Sequence, residues 1–206
     1  MADPDQWRAA ADADVVRQAL AGSQPACEEL VRRFERPVFN LIVRMVRDEA
    51  TAEDLAQDTF IKIFRGLTSY NQSLRLVNWV LRIAHNTAID HLRQRRPALL
   101  AARPDDDDDL DPLEALPDLA AISPEHSSVR AELGAAVDRA LDTLRPDYRA
   151  VVVLRYQEGL EYQEIAGILE MPLGTVKTFL HRARRALAAE LARAGWAPET
   201  RPGERP

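Results

Sequence analysis

Cysteine occurs once in 206 residues, at Cys27, so the chain forms no internal disulfide. The four histidines, His85, His91, His126 and His181, stand at neither zinc-finger nor H-E-x-x-H spacing, which speaks against a metal site. A glycine-rich phosphate loop and a nucleophile elbow are also missing, so neither an enzymatic activity nor a cofactor is expected. No run approaches the roughly 18 consecutive apolar residues of a membrane span. The opening Met1-Ala-Asp-Pro-Asp lacks the basic and apolar regions of a signal peptide. No membrane insertion and a cytoplasmic location follow as expectations.

With only eight glycines, and apolar residues recurring at three and four, nearly every ordered stretch reads as helix and none as strand. The expected fold class is all-α, with 46% hydrophobic residues sufficient for one large or two small cores. The net charge of −6 would by itself argue against nucleic acid, but the charge is unevenly placed. Residues 97–126 hold nine acids and one base, leaving a net of +2 elsewhere. Arg75, Arg82, Arg93, Arg95 and Arg96 face only Asp90 in one segment. Lys177, Arg182, Arg184, Arg185 and Arg193 face only Glu190 in another. Two basic patches joined by an acidic bridge fit two nucleic-acid contacts.

The spacing predicts a short helix over about 14–21, inside an N-terminal segment 1–21, and a long one over about 25–47. The long helix carries Leu30, Phe34, Val38, Leu41, Ile42 and Met45 on one face, and Pro37 should kink or split it. Thr51-x-x-Asp54 reads as a capping-box variant opening a helix whose stripe is Leu55, Thr59, Ile63 and Leu67, with Phe60 and Phe64 beside it. A polar loop over 68–73 leads into a helix over about 74–96, which Pro97 ends. The first domain is placed at 22–96. The Pro- and Asp-rich, aperiodic stretch 97–126 is expected to be a flexible linker, followed by a second domain at 127–194 and a disordered tail at 195–206.

In the second domain a helix capped by Ser127 or Ser128 runs to Leu144, and another runs from Pro146 to about Tyr156. The residues from Tyr162 to His181 then have the length of a helix-turn-helix. Ala166 is small where the two helices cross, and Ile165, Leu169, Val176 and Leu180 form their shared core. Thr175 is expected to cap the second helix. Val176, Leu180, Ala183 and Leu187 make its apolar stripe, so Lys177, Thr178, His181 and Arg185 point outward as a candidate DNA reader. Phe179 lies on the flank, either as a core contact, the favoured reading, or as an exposed aromatic.

Two motifs carry a family resemblance. Asp54-Leu-Ala-Gln-Asp-Thr-Phe-Ile-Lys-Ile-Phe, followed by Trp79-Val-Leu-Arg-Ile-Ala-His-Asn-Thr-Ala-Ile-Asp-His-Leu-Arg-Gln-Arg-Arg, resembles sigma region 2. Leu144-Arg-Pro with Tyr162-Gln-Glu-Ile-Ala and Gly174-Thr-Val-Lys-Thr-Phe-Leu-His-Arg-Ala-Arg resembles sigma region 4. In this order and across a linker, they resemble the extracytoplasmic-function sigma factors of bacteria, over about residues 12–96 and 127–193.

The resemblance implies a factor that binds core RNA polymerase, recognises −10 and −35 promoter elements and promotes melting. It implies that Asp54, Gln57, Asp58, Ile61 and Lys62 meet the clamp helices of the polymerase's largest subunit. Region 4 would meet the flap of the second-largest subunit. The residues around the loop, Tyr70, Asn71, Gln72 and Ser73, have groups able to stack on or bond to an unpaired base. By the resemblance they capture a flipped base of the −10 element, with Asn86 nearby and Arg93, Arg95 and Arg96 on phosphates. Thr175, Lys177, Thr178, His181, Arg182 and Arg185 would meet the −35 element. Trp79 and Ile83 are assigned to the core. In relatives the linker threads toward the RNA channel, so Asp105, Asp106, Asp107, Asp108 and Asp109 either mimic RNA phosphates or simply space the domains. Many relatives are held by an anti-sigma protein, which makes one a candidate partner.

Departures from the family pattern are Glu161 for Ser or Thr, Glu170 for Gly, Thr178-Phe179 for Ser-Arg, and Leu76-Val77-Asn78 before Trp79. Glu161 is expected to forfeit a helix cap, and Glu170 to be forced into a left-handed conformation. The rival reading is a helix-turn-helix regulator acting on duplex DNA without polymerase.

Overall fold

The computed structural model describes residues 4–72, 74–95 and 127–196, with side chains from 12 in the first stretch and from 132 in the last. The expected linker, Ser73, Arg96, Asp105 to Asp109 and the tail after Trp196 lie outside the described residues. Among the described residues every regular element is helical: α1 (Pro4–Leu20), α2 (Gln24–Val46), α3 (Glu49–Gly66), a 3₁₀ turn (Leu67–Ser69), α4 (Leu76–Arg95), α5 (Ser127–Thr143), α6 (Pro146–Tyr156), α7 (Tyr162–Leu169) and α8 (Leu173–Arg193).

Helix α2 is the hub of the first half, packing on α1, α3 and α4. Its stripe Leu30, Phe34, Val38, Leu41, Ile42 and Met45 is buried throughout, as the period requires. Pro37 does not divide it: one helix runs through from Gln24 to Val46 and ends where Arg47 turns left-handed, φ 62°, with its N–H on Val43 O. Burial of the apolar face on both sides of Pro37 outweighs the single backbone bond that proline removes. Helix α3 starts earlier than expected. Asp48, not Thr51, is its cap: the Asp48 carboxylate accepts the Thr51 amide at 2.8 Å. Hydrogen bonding from the Thr51 side chain first, and from its amide second, holds the Asp48 carboxyl below its usual range.

In the second half α6 has the predicted bounds, and α7 opens at Tyr162, where the helix-turn-helix was predicted to begin. Helix α8 begins two residues before Thr175, with Pro172 in the cap position and no side-chain cap bond. Thr175 therefore sits inside the first turn rather than capping it. Phe179 is buried, its ring 4.8 Å from that of Tyr148 on α6. The start of α7 does not forfeit its cap to the Glu161 departure, because Glu161 and Glu164 form a capping box, the Glu161 side chain accepting from the Glu164 backbone while Glu164 accepts the Glu161 amide at 2.9 Å. Glu170 is left-handed, φ 54° and ψ 40°, as expected.

The two halves pack on each other, α6 against α2 and α7 against α4, and their apolar side chains form one continuous core. Arg149 on α6 is 4% exposed at this junction. Its guanidinium donates to Leu144 O at 3.1 and 2.9 Å and to Arg44 O at 2.7 Å, so it bonds carbonyls at the ends of helices from both halves. Burial first, and Arg47 second, pull its pKa down to about 10, so it stays charged at neutral pH. A cavity of about 160 Å³ lies alongside, lined by residues including Arg47, Leu92, Asp142 and Arg145. No described helix is long and apolar enough to cross a membrane.

Candidate nucleic-acid interface

Helix α3 turns its Leu55, Thr59 and Ile63 stripe inward, which leaves Asp54, Gln57, Asp58, Ile61 and Lys62 exposed along the opposite side. Thr59 is tolerated in the core because its hydroxyl donates to Leu55 O at 2.7 Å. Ile61 is 47% exposed, an apolar centre in a polar row. Lys62 leans across to α4 and donates to Thr87 Oγ1 at 3.0 Å, which ties this face to the helix after the loop.

In that loop Asn71 and Gln72 are exposed, whereas Tyr70 is engaged. Its hydroxyl donates to Leu74 O at 2.5 Å, and its ring tilts against Trp79 with centroids 5.4 Å apart. Burial, and the charge of Asp12 after it, raise the Tyr70 pKa. Tyr70 therefore braces the loop, and its ring is half-covered rather than a free stacking platform. Trp79 and Ile83 are partly buried against the core. Asn86 is exposed on α4, with Arg93 and Arg95 at the end of the same helix, Arg93 facing Asp90 at 3.7 Å.

His85, next to Asn86, is buried, with Nδ1 3.4 Å from Asn86 Oδ1 and Nε2 without a hydrogen-bond partner. Burial lowers its pKa.

On α8 the stripe Val176, Leu180, Ala183 and Leu187 is buried with Phe179. Lys177 and Arg185 are exposed, and Thr175, Thr178, His181 and Arg182 half-buried. Thr178 donates to Gly174 O at 3.0 Å, so its hydroxyl serves its own helix. Arg184 is drawn to Tyr156, donating to its hydroxyl at 2.6 Å with the guanidinium 5.6 Å from the ring centre.

The sequence reading did not single out Arg75, Asn78 and Arg82 as a group. Their spacing of three and four, continued by Asn86, was the available signal. Arg75 and Asn78 meet Glu164 Oε1 at 2.8 and 3.1 Å, and Arg82 pairs with Glu170. Burial raises the Glu164 pKa, but the Glu161 amide, Asn78 and Arg75 together outweigh it, and the carboxyl stays below its usual range.

Residues 30–97 match the family described as Sigma-70 region 2, and residues 134–187 match Sigma-70, region 4. The chain is 36% identical over 178 residues to the RNA polymerase sigma-H factor of Pseudomonas aeruginosa, covering 85% of this chain and 91% of that one. It is 32% identical over 181 residues to the ECF RNA polymerase sigma factor SigW of Bacillus subtilis, covering 85% and 94%. Among solved structures, CnrH in complex with the cytosolic domain of CnrY matches with a TM-score of 0.60 and 26% identity, over 89% of this chain and 98% of that chain.

Proposed function

The chain belongs to the extracytoplasmic-function group of the sigma-70 family of RNA polymerase sigma factors, and from that membership we propose how its surfaces divide the work of transcription initiation. It is a sigma factor: it binds core RNA polymerase and promoter DNA, and it acts by binding rather than by catalysing a reaction. The outward row of α3, Asp54, Gln57, Asp58, Ile61 and Lys62, docks on the polymerase. Asn71, Gln72 and Ser73 in the loop, together with Asn86, Arg93, Arg95 and Arg96, serve the −10 element, with Tyr70 bracing the loop. Thr175, Lys177, Thr178, His181, Arg182 and Arg185 serve the −35 element. Asp105 to Asp109 act in the linker along the RNA path. An anti-sigma protein is a further partner in this reading. Strand capture supplies the free energy of melting, since a group that binds only the unpaired form shifts the equilibrium toward it.

The observation that carries the assignment is Ile61, half-exposed at the centre of a polar helical row. Gel filtration of the chain with bacterial core RNA polymerase tests it. The wild type should co-elute and a Gln57→Ala, Asp58→Ala, Ile61→Ala variant should elute apart. Co-elution of both would move the polymerase contact off α3.

A further inference from the structure

Arg75, Asn78, Arg82 and Asn86 fall on one side of α4 and the residue before it, because steps of three and four return to the same face of a helix. Asn78 is half-buried there, and Arg75 and Arg82, though about half exposed, are engaged by acids. Glu164 and Glu170, one on α7 and one at its C-terminal cap, hold them across the junction between the two halves. A carboxylate and a phosphate are recognised by the same forked, charge-assisted donors.

We propose that Arg75, Asn78 and Arg82 are a phosphate-contacting row of the promoter face, covered in the free chain by Glu164 and Glu170, so that region 4 must swing away before region 2 takes up a DNA strand. This rests on the assignment of α4 to the −10 element.

Three features support it. With α7 packed on α4, the donors that point across the junction are taken by carboxylates, and a phosphate would have to compete for them. The two carboxylates lie on the first helix of the helix-turn-helix and at its C-terminal cap, while the basic side chains of that unit lie on α8. The acidic side of the unit therefore faces region 2. Glu170 also holds a left-handed backbone that residues with a Cβ disfavour, at the position where its side chain meets Arg82. The rim of the junction is made of further half-exposed pairs, Arg44–Asp138 at 2.6 Å and Arg47–Asp142 at 2.9 Å. Such pairs weaken with salt, so the closure should loosen as salt rises.

Energy transfer between dyes on Glu53→Cys in α3 and Ala188→Cys in α8, in a Cys27→Ser background, reports closure of the full chain. Fluorescence anisotropy with labelled oligothymidylate of about 20 nucleotides reports the phosphate row. Glu164→Gln with Glu170→Gln keeps an oxygen for the Glu161 amide, and Glu170→Gln alone is the milder variant if the pair melts early. Half-exposed ion pairs set the scale: the double variant should shift the closed–open balance about tenfold, or 1.4 kcal/mol. It should lower energy transfer and tighten oligothymidylate binding by a similar factor. Adding Arg75→Gln and Arg82→Gln should cancel the gain while the chain stays open.

A wild type that is already open, a variant that stays closed, or a gain that survives loss of the arginines each overturns the proposal. So does opening without tighter DNA binding. Co-elution with core polymerase, measured on the same samples, separates the two readings. Its absence in wild type sinks the polymerase-docking assignment, while the energy-transfer result still decides the masking.

Discussion

Replacing Arg149 by Met removes the guanidinium that joins the two halves while keeping most of the side chain's apolar length. Its three hydrogen bonds come from a charged donor, and bonds of that kind are worth roughly 1.5–3 kcal/mol each. Against them stands the burial of the charge: a pKa of about 10 against 12.5 corresponds to about 3 kcal/mol disfavouring the charged form. The bonds win, and the net contribution is roughly 3 kcal/mol, because Met leaves Leu144 O and Arg44 O without their donor in a buried setting. For a chain of this size the melting temperature should fall by about 6–12 °C. Hydrogen exchange should show the C-terminal turns of α2 and α5 losing protection first, since those carbonyls lose their partner. Arg149→Lys should fall between, as a compact ammonium reaches fewer acceptors than a fork. A fall of less than about 2 °C in Arg149→Met, with exchange unchanged at both helix ends, would refute the reasoning.

Two further outcomes follow from buried side chains. His85 has a pKa depressed by burial below its ordinary 6.5, so the unfolded chain takes up the proton first. Stability should therefore be highest above about pH 6.5 and fall as the pH drops below it. The charges bearing on the ring are Asp147 and Glu170 from the second half and Arg93 on its own helix, with Asn86 as hydrogen-bond neighbour. Chemical denaturation of wild type and His85→Gln between pH 7.5 and 5.5 checks the sign, at values spanning roughly one unit either side of free histidine; an equally steep fall in both would show another group is responsible. Phe179→Ala should cost about 3–5 kcal/mol, since a buried ring packed on Tyr148 is lost, and a thermal melt reads this directly. A melting temperature within about 2 °C of wild type would place Phe179 outside the core.

The helical period alone located the core. The stripes of α2, α3 and α8 follow from which residues recur at three and four, because each helix has one face to bury. The exposed row of α3 was legible for the same reason, as what remains once the stripe is turned inward. Two motifs in order across an acidic stretch identified the family.

Local signals misled where several donors or acceptors compete for one helix end. Asp48 displaced Thr51 as the cap of α3, Glu161 caps α7 through a capping box with Glu164, and packing on both sides carried α2 through Pro37. What no reading of spacing supplies is which face meets which across a chain separation of nearly ninety residues. The pairing of Arg75, Asn78 and Arg82 with Glu164 and Glu170, the grip of Arg149 on carbonyls of both halves, and the half-covered ring of Tyr70 were decided only by tertiary packing. The physical reason is that periodicity fixes the direction of a side chain relative to its own helix, whereas its partner depends on how helices from both halves come to share one core.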